Sequence, residues 1–242
     1  MDSVLKRILK TPVTTSTETI QAETGIMDIE SIRAQKQILY YHRIMNTRVN
    51  DTLKILLNIG KHPWKKLLDA TLARTNIDQE KLLEMNKNQA KNYVKKQIRE
   101  NHAQTILAAA NDKSKLKDLI IYRIQEDLKR RPKYITKLNR TECSHIFQTR
   151  ARMMKVKANY KNQFADLKCR WCGDQNETQK HIQTRCPEFK QITQDTTYDT
   201  YFQNTNKSYY EAANILGKVY KQISDFTEQT REDTATEERT GQ

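Results

Sequence analysis

The chain is poor in the residues that punctuate a backbone. It holds five glycines and four prolines in 242 residues, too few for a many-stranded sandwich or barrel, which needs a turn every 8–12 residues or so. Apolar residues make up 36% and aromatics 7%, below the usual share for a compact globule, so helical pieces around a thin core are expected in place of a deep sphere. No stretch approaches the ~18 apolar residues of a membrane span. The start, Met1-Asp2-Ser3-Val4-Leu5-Lys6-Arg7, has no apolar h-region, and no secretory signal is read there. Cysteine is scarce as well. Three of the four cysteines fall within eighteen residues at metal-ligand spacing, a pattern of reducing compartments and metals, not of a disulfide framework. The expected location is therefore intracellular, nucleus or cytoplasm.

Acidic residues are the other shortage. Lys and Arg number 43 against 29 Asp and Glu, a formal charge of +14, and the excess is concentrated. From Lys129 to Lys168 there are twelve basic residues against Glu142 and Asp166, a net of +10, whereas the last sixteen residues carry five acids against Arg231 and Arg239. A block so one-sided is the electrostatic footprint of a phosphate-binding surface, and the expected partners are RNA, DNA or both. Arg150, Arg152, Lys155, Lys157 and Lys161 lie just before the cysteine-rich stretch and can form one surface with Arg170 and Arg185 within it. Tyr160, interleaved among them, can stack on an unpaired base or pack internally.

Apolar spacing predicts the helices. One runs from about Asp28 to Asn46, with Ile29, Ile32, Leu39 and Ile44 inward. Asp51 can cap a second carrying Leu53, Leu56 and Leu57; Gly60 and Pro63 end it, and Trp64, Leu67, Leu68 and Leu72 follow at helical spacing. Asp78 is read as the cap of a long helix to about Ala110, and Ser114 to Arg130 as another, with Leu116, Leu119, Ile120 and Ile124 on one stripe. Thr141 is the expected cap of a short helix containing Cys143, Ile146 and Phe147. The clearest pattern is the last: Ser208 and Glu211 as a capping box, then Ala212, Ile215, Leu216, Val219, Tyr220, Ile223 and Phe226 at three- and four-residue steps. The segments are a basic helix and connector (1–27), a helical region (28–140), a basic segment with a zinc knuckle (141–190, knuckle 169–186), a helical region (191–226) and an acidic tail expected to be disordered (227–242).

The chemistry-bearing pattern is Cys169-x2-Cys172-x8-His181-x4-Cys186. Both sulfurs of a Cys-x2-Cys turn can face one point, and Gly173 permits the tight turn that follows. Three thiolates and an imidazole close the tetrahedron of a structural Zn2+, leaving no position to activate water. Thr178 can cap a short helix carrying His181, and Pro187 suits the first turn of the next. Trp171 and Phe189 can cover the ion or stack on a base. Cys143 and His145 cannot close a second site without another cysteine, and read as a half-buried helix residue and a surface histidine.

These residues carry a resemblance. Arg150-Ala-Arg-Met153-Met154-Lys155-Val156-Lys157-Ala158-Asn159-Tyr160-Lys161, followed by Cys169-x2-Cys172, Glu177-Thr178, His181 and Cys186-Pro187, resembles the C-terminal part of non-LTR retrotransposon reverse transcriptases. Arg7-Ile8-Leu9-Lys10-Thr11-Pro12, Glu23-Thr24-Gly25-Ile26 and Lys36-Gln37-Ile38-Leu39-Tyr40-Tyr41-His42-Arg43-Ile44 are similar to that family's segments after the polymerase palm. The resemblance implies a mainly α, elongated thumb- and linker-like bundle with a CCHC knuckle, gripping RNA template and target DNA beside the polymerase portion of a retroelement protein. It does not supply catalysis. Polymerase chemistry needs paired aspartates on two metal ions, and no Asp-Asp occurs; one branch of the family carries a nuclease after the knuckle, and there Glu188-Phe189-Lys190 alone echoes its acid-x-Lys pair. No nucleophile, base and orienter cluster by spacing, so catalytic residues are expected to be none. The competing reading is a zinc-stabilised protein-interaction module, domesticated from a retroelement, that meets an acidic partner.

Overall fold

The computed structural model describes residues 2–12, 14–47, 51–58, 62–125, 127–193 and 206–240. The described residues are 73% helix and include no strand; the one isolated β-bridge among them is antiparallel, between Lys168 and Asn176.

Short polar caps set most boundaries. Helix α1 (Asp2–Ile8) leads to α2 (Thr17–Thr24), which Ser16 caps and Gly25 ends at φ 63°; the stretch read as an extended connector thus contains a helix. Asp28 caps α3 (Ile29–Asn46), accepting from the Ser31 amide at 2.8 Å. After α4 (Asp51–Asn58) comes α5 (Pro63–Thr75), with proline in its first turn, where no amide is needed. Asp78 caps only the short α6 (Gln79–Glu84). A second cap, Asn86 with Gln89 in a capping box, starts the 24-residue α7 (Lys87–Ala110), so the single long helix read from 78 to 110 is two. Helix α8 (Ser114–Gln125) stops short of Arg130, and α9 (Lys133–Lys137) follows Pro132. Asn139, not Thr141, caps α10 (Arg140–Arg150), with Glu142 completing the box. Then come α11 (Gln179–Thr184), α12 (Pro187–Thr193) and α13 (Asn206–Thr240). Because α13 starts at Asn206, Ser208 stands in its first turn and is not its cap; the Ser208 side chain lies outside the described residues. The helix continues through 227–240, where composition predicts disorder, and no glycine or proline interrupts it there.

Burial follows a narrower register than apolar identity alone. In α3 the inward stripe is Ala34, Ile38 and Tyr41, which leaves Ile29 62% exposed. In α8 it is Leu116, Leu119, Ile120 and then Arg123, while Ile124 is 58% exposed. Leu67 likewise points outward, whereas Leu68 and Leu72 are buried. The inward residues of α3–α7 build one core, with Ile38, Leu68, Leu82 and Val94 fully inside. Helix α7, roughly 36 Å long at ~1.5 Å per residue, continues into a second small core with α2 and α8 through Ala103, Ile106 and Ala110. A third, larger core joins α9, α10 and α13 to the cysteine-rich segment. The stripe Ala212, Leu216, Val219, Tyr220 and Ile223 is buried there, packed mainly on α10.

A buried ionic cluster ties the helical regions together. Glu23, Arg123 and Arg150 have side chains with no exposure; Arg150 Nε lies 3.0 Å and Arg123 Nε 3.7 Å from the Glu23 carboxylate. The Tyr134 hydroxyl donates to Glu23 Oε1 at 2.6 Å, and Arg123 Nε donates to the Ala22 carbonyl at 2.8 Å. Burial, then the Glu23 charge, holds the Tyr134 hydroxyl well above 10, so it stays a donor. Gly25 is required next to this cluster: a Cβ there would sit 3.0 Å from the Arg130 carbonyl carbon and oxygen.

Candidate metal centre

The segment between α10 and α12 has little regular structure, and backbone bonds shape it. The Gly173 amide donates to the Cys169 carbonyl at 2.9 Å and the Cys169 amide to the Gln175 carbonyl at 2.8 Å, closing a tight loop. Gly173 takes φ 71°, and a Cβ there would meet nothing within 4 Å, so backbone conformation alone asks for glycine. The Glu177 amide donates to the Leu167 carbonyl at 2.7 Å, and the Lys168–Asn176 bridge pairs the two arms. Thr178 caps α11 through a 3.0 Å bond from the His181 amide, as its position in the sequence predicts.

The four side chains of the pattern meet. One ligand atom from each of Cys169, Cys172, His181 and Cys186 lies within 4.8 Å of all the others, a group able to hold a metal ion. A tetrahedral ion with sulfur at ~2.3 Å requires S···S edges of about 3.8 Å. Cys169 Sγ and Cys186 Sγ are 3.8 Å apart, and Cys172 Sγ is 3.3 Å from His181 Nε2. The other ring nitrogen, Nδ1, lies 3.3 Å from the Gln175 side-chain oxygen. That contact favours the Nδ1–H tautomer and frees Nε2 for a metal. Cys169, Cys186 and His181 are buried, and Cys172 is half-buried.

The protonation chemistry fits a cation site. Burial pushes the Cys186 thiol up to about 12, with the neighbouring sulfurs adding to it, and burial also raises Cys169. At Cys172 burial is outweighed by N–H···S bonds from Asp174 and Gln175, and its thiol falls below 9. Burial lowers His181, which favours the neutral, ligating imidazole. Cys169, Cys172 and Cys186 would have to lose their thiol protons to hold a divalent cation, which would then supply the positive charge that the clustered sulfurs lack.

The sequence reading missed the residue that anchors the loop. Glu177 has no exposure and accepts four bonds: the Lys157 amide at 2.9 Å, the Arg170 amide at 3.1 Å, and Arg170 Nε and its terminal nitrogen at 2.9 and 2.6 Å. A carboxylate next to a helix cap looks like a surface residue, and only its two distant donors reveal its burial. Trp171, half-buried, packs against the buried Phe189 at 5.0 Å and against Phe226 at 5.4 Å.

The eight residues expected to meet nucleic acid are divided by the structure. Arg150 is 1% exposed and belongs to the Glu23 cluster; it has no path to a phosphate. Arg170 is held by Glu177 and covers the Trp171 ring at 4.8 Å. Lys157 pairs with Asp166 at 3.2 Å with a side chain only 12% exposed, and Arg152 pairs with Asp118 at 2.9 Å. Lys155, Lys161 and Arg185 are exposed, and Tyr160 is half-buried. His145 corrects another expectation: it is no surface histidine but stacks on Tyr220 at 4.2 Å and 3°, and burial lowers it to about 4. Cys143 is buried beneath α9, and burial raises its thiol to about 11.

No family model matches the sequence, and no curated protein or solved structure matches it significantly. No helix among the described residues is long and apolar enough to cross a membrane.

Proposed function

We propose that the chain is a zinc-binding, nucleic-acid-binding module in which Cys169, Cys172, His181 and Cys186 hold one structural Zn2+ as a CCHC knuckle. The donor set and its spacing support zinc, because soft thiolates with one imidazole in a closed tetrahedron suit that ion. The ion, when bound, cross-links the loop and leaves no open position for water. The residues then do the rest: Gln175 orients the imidazole, Glu177 and Arg170 lock the loop, and Trp171 and Phe189 exclude solvent.

The observation that carries nucleic-acid binding is the share of the basic block left over after internal pairing. Of the twelve cations in 129–168, Arg131, Lys133, Lys137, Arg140, Lys155, Lys161 and Lys168 are exposed and make no ion pair among the described residues, Arg140 donating instead to the Arg7 and Ile8 carbonyls. A surface of one sign left unneutralised concentrates oppositely charged partners and steers polyanions to it. The resemblance to the post-palm region of non-LTR retrotransposon reverse transcriptases gives this reading its setting: a gripping segment without the polymerase aspartates. Filter binding of RNA and of duplex DNA across a salt series tests it. Replacing Lys155, Lys161 and Lys168 with Ala should weaken both and flatten the slope of log K against log salt by up to about three on duplex, with metal content unchanged. Equal affinity and slope would mean that the surface meets a protein partner or only solvent.

A further inference from the structure

A second basic surface lies on the other core, far in sequence from the block just described. Helices α3 and α7 pack on each other and leave a groove of about 750 Å3 between their outer faces, lined by Lys36, Leu39, Tyr40, Arg43, Met85, Lys87 and Lys91 among others, with no carboxylate. Lys36, Tyr40, Arg43 and Thr47 recur at steps of three and four along α3, and Lys87, Lys91 and Lys95 at steps of four along α7, so each helix turns one row to the same side. Lys36, Arg43, Lys87 and Lys91 are exposed and make no ion pair among the described residues. Tyr40 is 45% exposed, held edge-on to Trp64 at 6.4 Å and overlaid by Arg43 at 5.1 Å. The floor is fixed: His42 is buried and its Nε2 bonds the Met85 carbonyl at 2.9 Å, pinning α3 to the α6–α7 junction.

We infer that this groove is a binding site for single-stranded nucleic acid, its cations tracking successive phosphates and Tyr40 stacking on an unpaired base. This rests on the reading that the chain binds nucleic acid. The chemistry is that of single-strand sites in general: a positive channel combined with an aromatic ring, here 45% exposed with the Arg43 guanidinium over it, so that a base stacks beside that cation or displaces it. A small anion would need convergent donors at one point, whereas these cations are spread along two rows. An acidic peptide would be met by the charges but would leave the ring and the apolar wall of Leu39 and Met85 without a flat partner.

The test uses the full, zinc-loaded chain with oligo(U) and oligo(dT) of about 15 nucleotides and a duplex of the same length. Replacing Arg43, Lys87 and Lys91 with Ala should lower single-strand affinity at least about tenfold and flatten the salt slope by about two, at ~0.7 per phosphate contact on single strands. Duplex affinity should fall less. Tyr40→Leu should cost about tenfold on single strands, and Tyr40→Phe, which keeps the ring face, should retain affinity; that pair separates stacking from any loss of fold. A parent that binds while the triple variant binds single strands equally well, with an unchanged slope, overturns the groove and leaves the wider reading standing. The groove is overturned in the same way if the Lys155, Lys161 and Lys168 variant loses single-strand binding while the Arg43, Lys87 and Lys91 variant keeps it. A parent that binds none of the three probes overturns both.

Discussion

The core of α3–α7 and the core of α9–α13 reach burial by different means. The first is closed by aliphatic and aromatic side chains at helical spacing, with Ile38, Leu68, Leu82 and Val94 fully inside. The second contains two members of the candidate metal centre: Cys169 and Cys186, 3% and 1% exposed, sit in the same cluster as Ile182, Phe189, Leu216 and Ile223. A segment with so little regular structure is held by a few irregular backbone bonds, whereas stacked helices satisfy their own amides in a repeating ladder. The first core should therefore stand without metal, and the second should not. Residue spacing alone would place the dependence in 169–186 only; shared packing extends it to α13.

Metal removal should give the largest effect. Structural zinc contributes roughly 10–16 kcal/mol in isolated finger peptides, so chelation or Cys172→Ser should strip amide-exchange protection from α9–α13 while α3–α7 keeps its own. A single loss across the whole chain, or no loss anywhere, would erase the contrast between the cores. Metal analysis of natively purified protein should find one zinc per chain, and a metal-free chain with full protection sinks the assignment.

The ionic cluster joins α9 and α10 to α2 and α8, against which the end of α7 packs, and Glu23→Gln tests whether that indirect link couples the two cores. It leaves Arg123 and Arg150 buried without a counter-charge, a loss of about 3–5 kcal/mol. Chemical denaturation should then split into two transitions if the cluster couples the cores; one transition at unchanged midpoint would show that it does not. Leu216→Ala should cost about 2–5 kcal/mol through the cavity it leaves and should weaken metal retention as well, whereas Leu82→Ala should cost as much without touching it. Equal metal retention in both variants would separate α13 from the centre.

Two smaller effects concern the second core. Gln175→Ala should lower metal affinity by about 10–100-fold, the usual cost of losing an orienting partner of a ligating histidine; competition with a chromophoric chelator reads this directly. His145 is held near 4 against an ordinary 6.5 by burial beneath Tyr220. The unfolded chain therefore binds more protons between those values, and stability contributed by the neutral ring is present above about 6.5 and declines as pH falls towards 4. His145→Leu should flatten that part of the stability curve, measured at saturating zinc. An unaltered curve would remove His145 from the account.

Much of this was legible in the residues. Asp28, Thr178 and Pro187 mark helix starts because a side-chain acceptor, or a missing amide, is needed only there. The stripe from Ala212 to Ile223 declares its buried face by period. The Cys-x2-Cys-x8-His-x4-Cys spacing marks out the four side chains that the fold brings together, because three cysteines so close are unusual in so cysteine-poor a chain. What stayed hidden was polar burial. Arg150 and Arg170 look identical in sequence to Lys155 and Lys161, yet Glu23 and Glu177 draw them inside.

The helical class, the concentration of positive charge and the four clustered side chains all follow from the order of residues, since each depends on local spacing or on composition. Which charges remain for a partner follows only from packing. Pairing across 100 residues or more, as between Glu23 and Arg123 or Arg150, leaves no local periodicity to read. The same holds for the groove between α3 and α7, whose two rows of cations become one surface only when the helices pack.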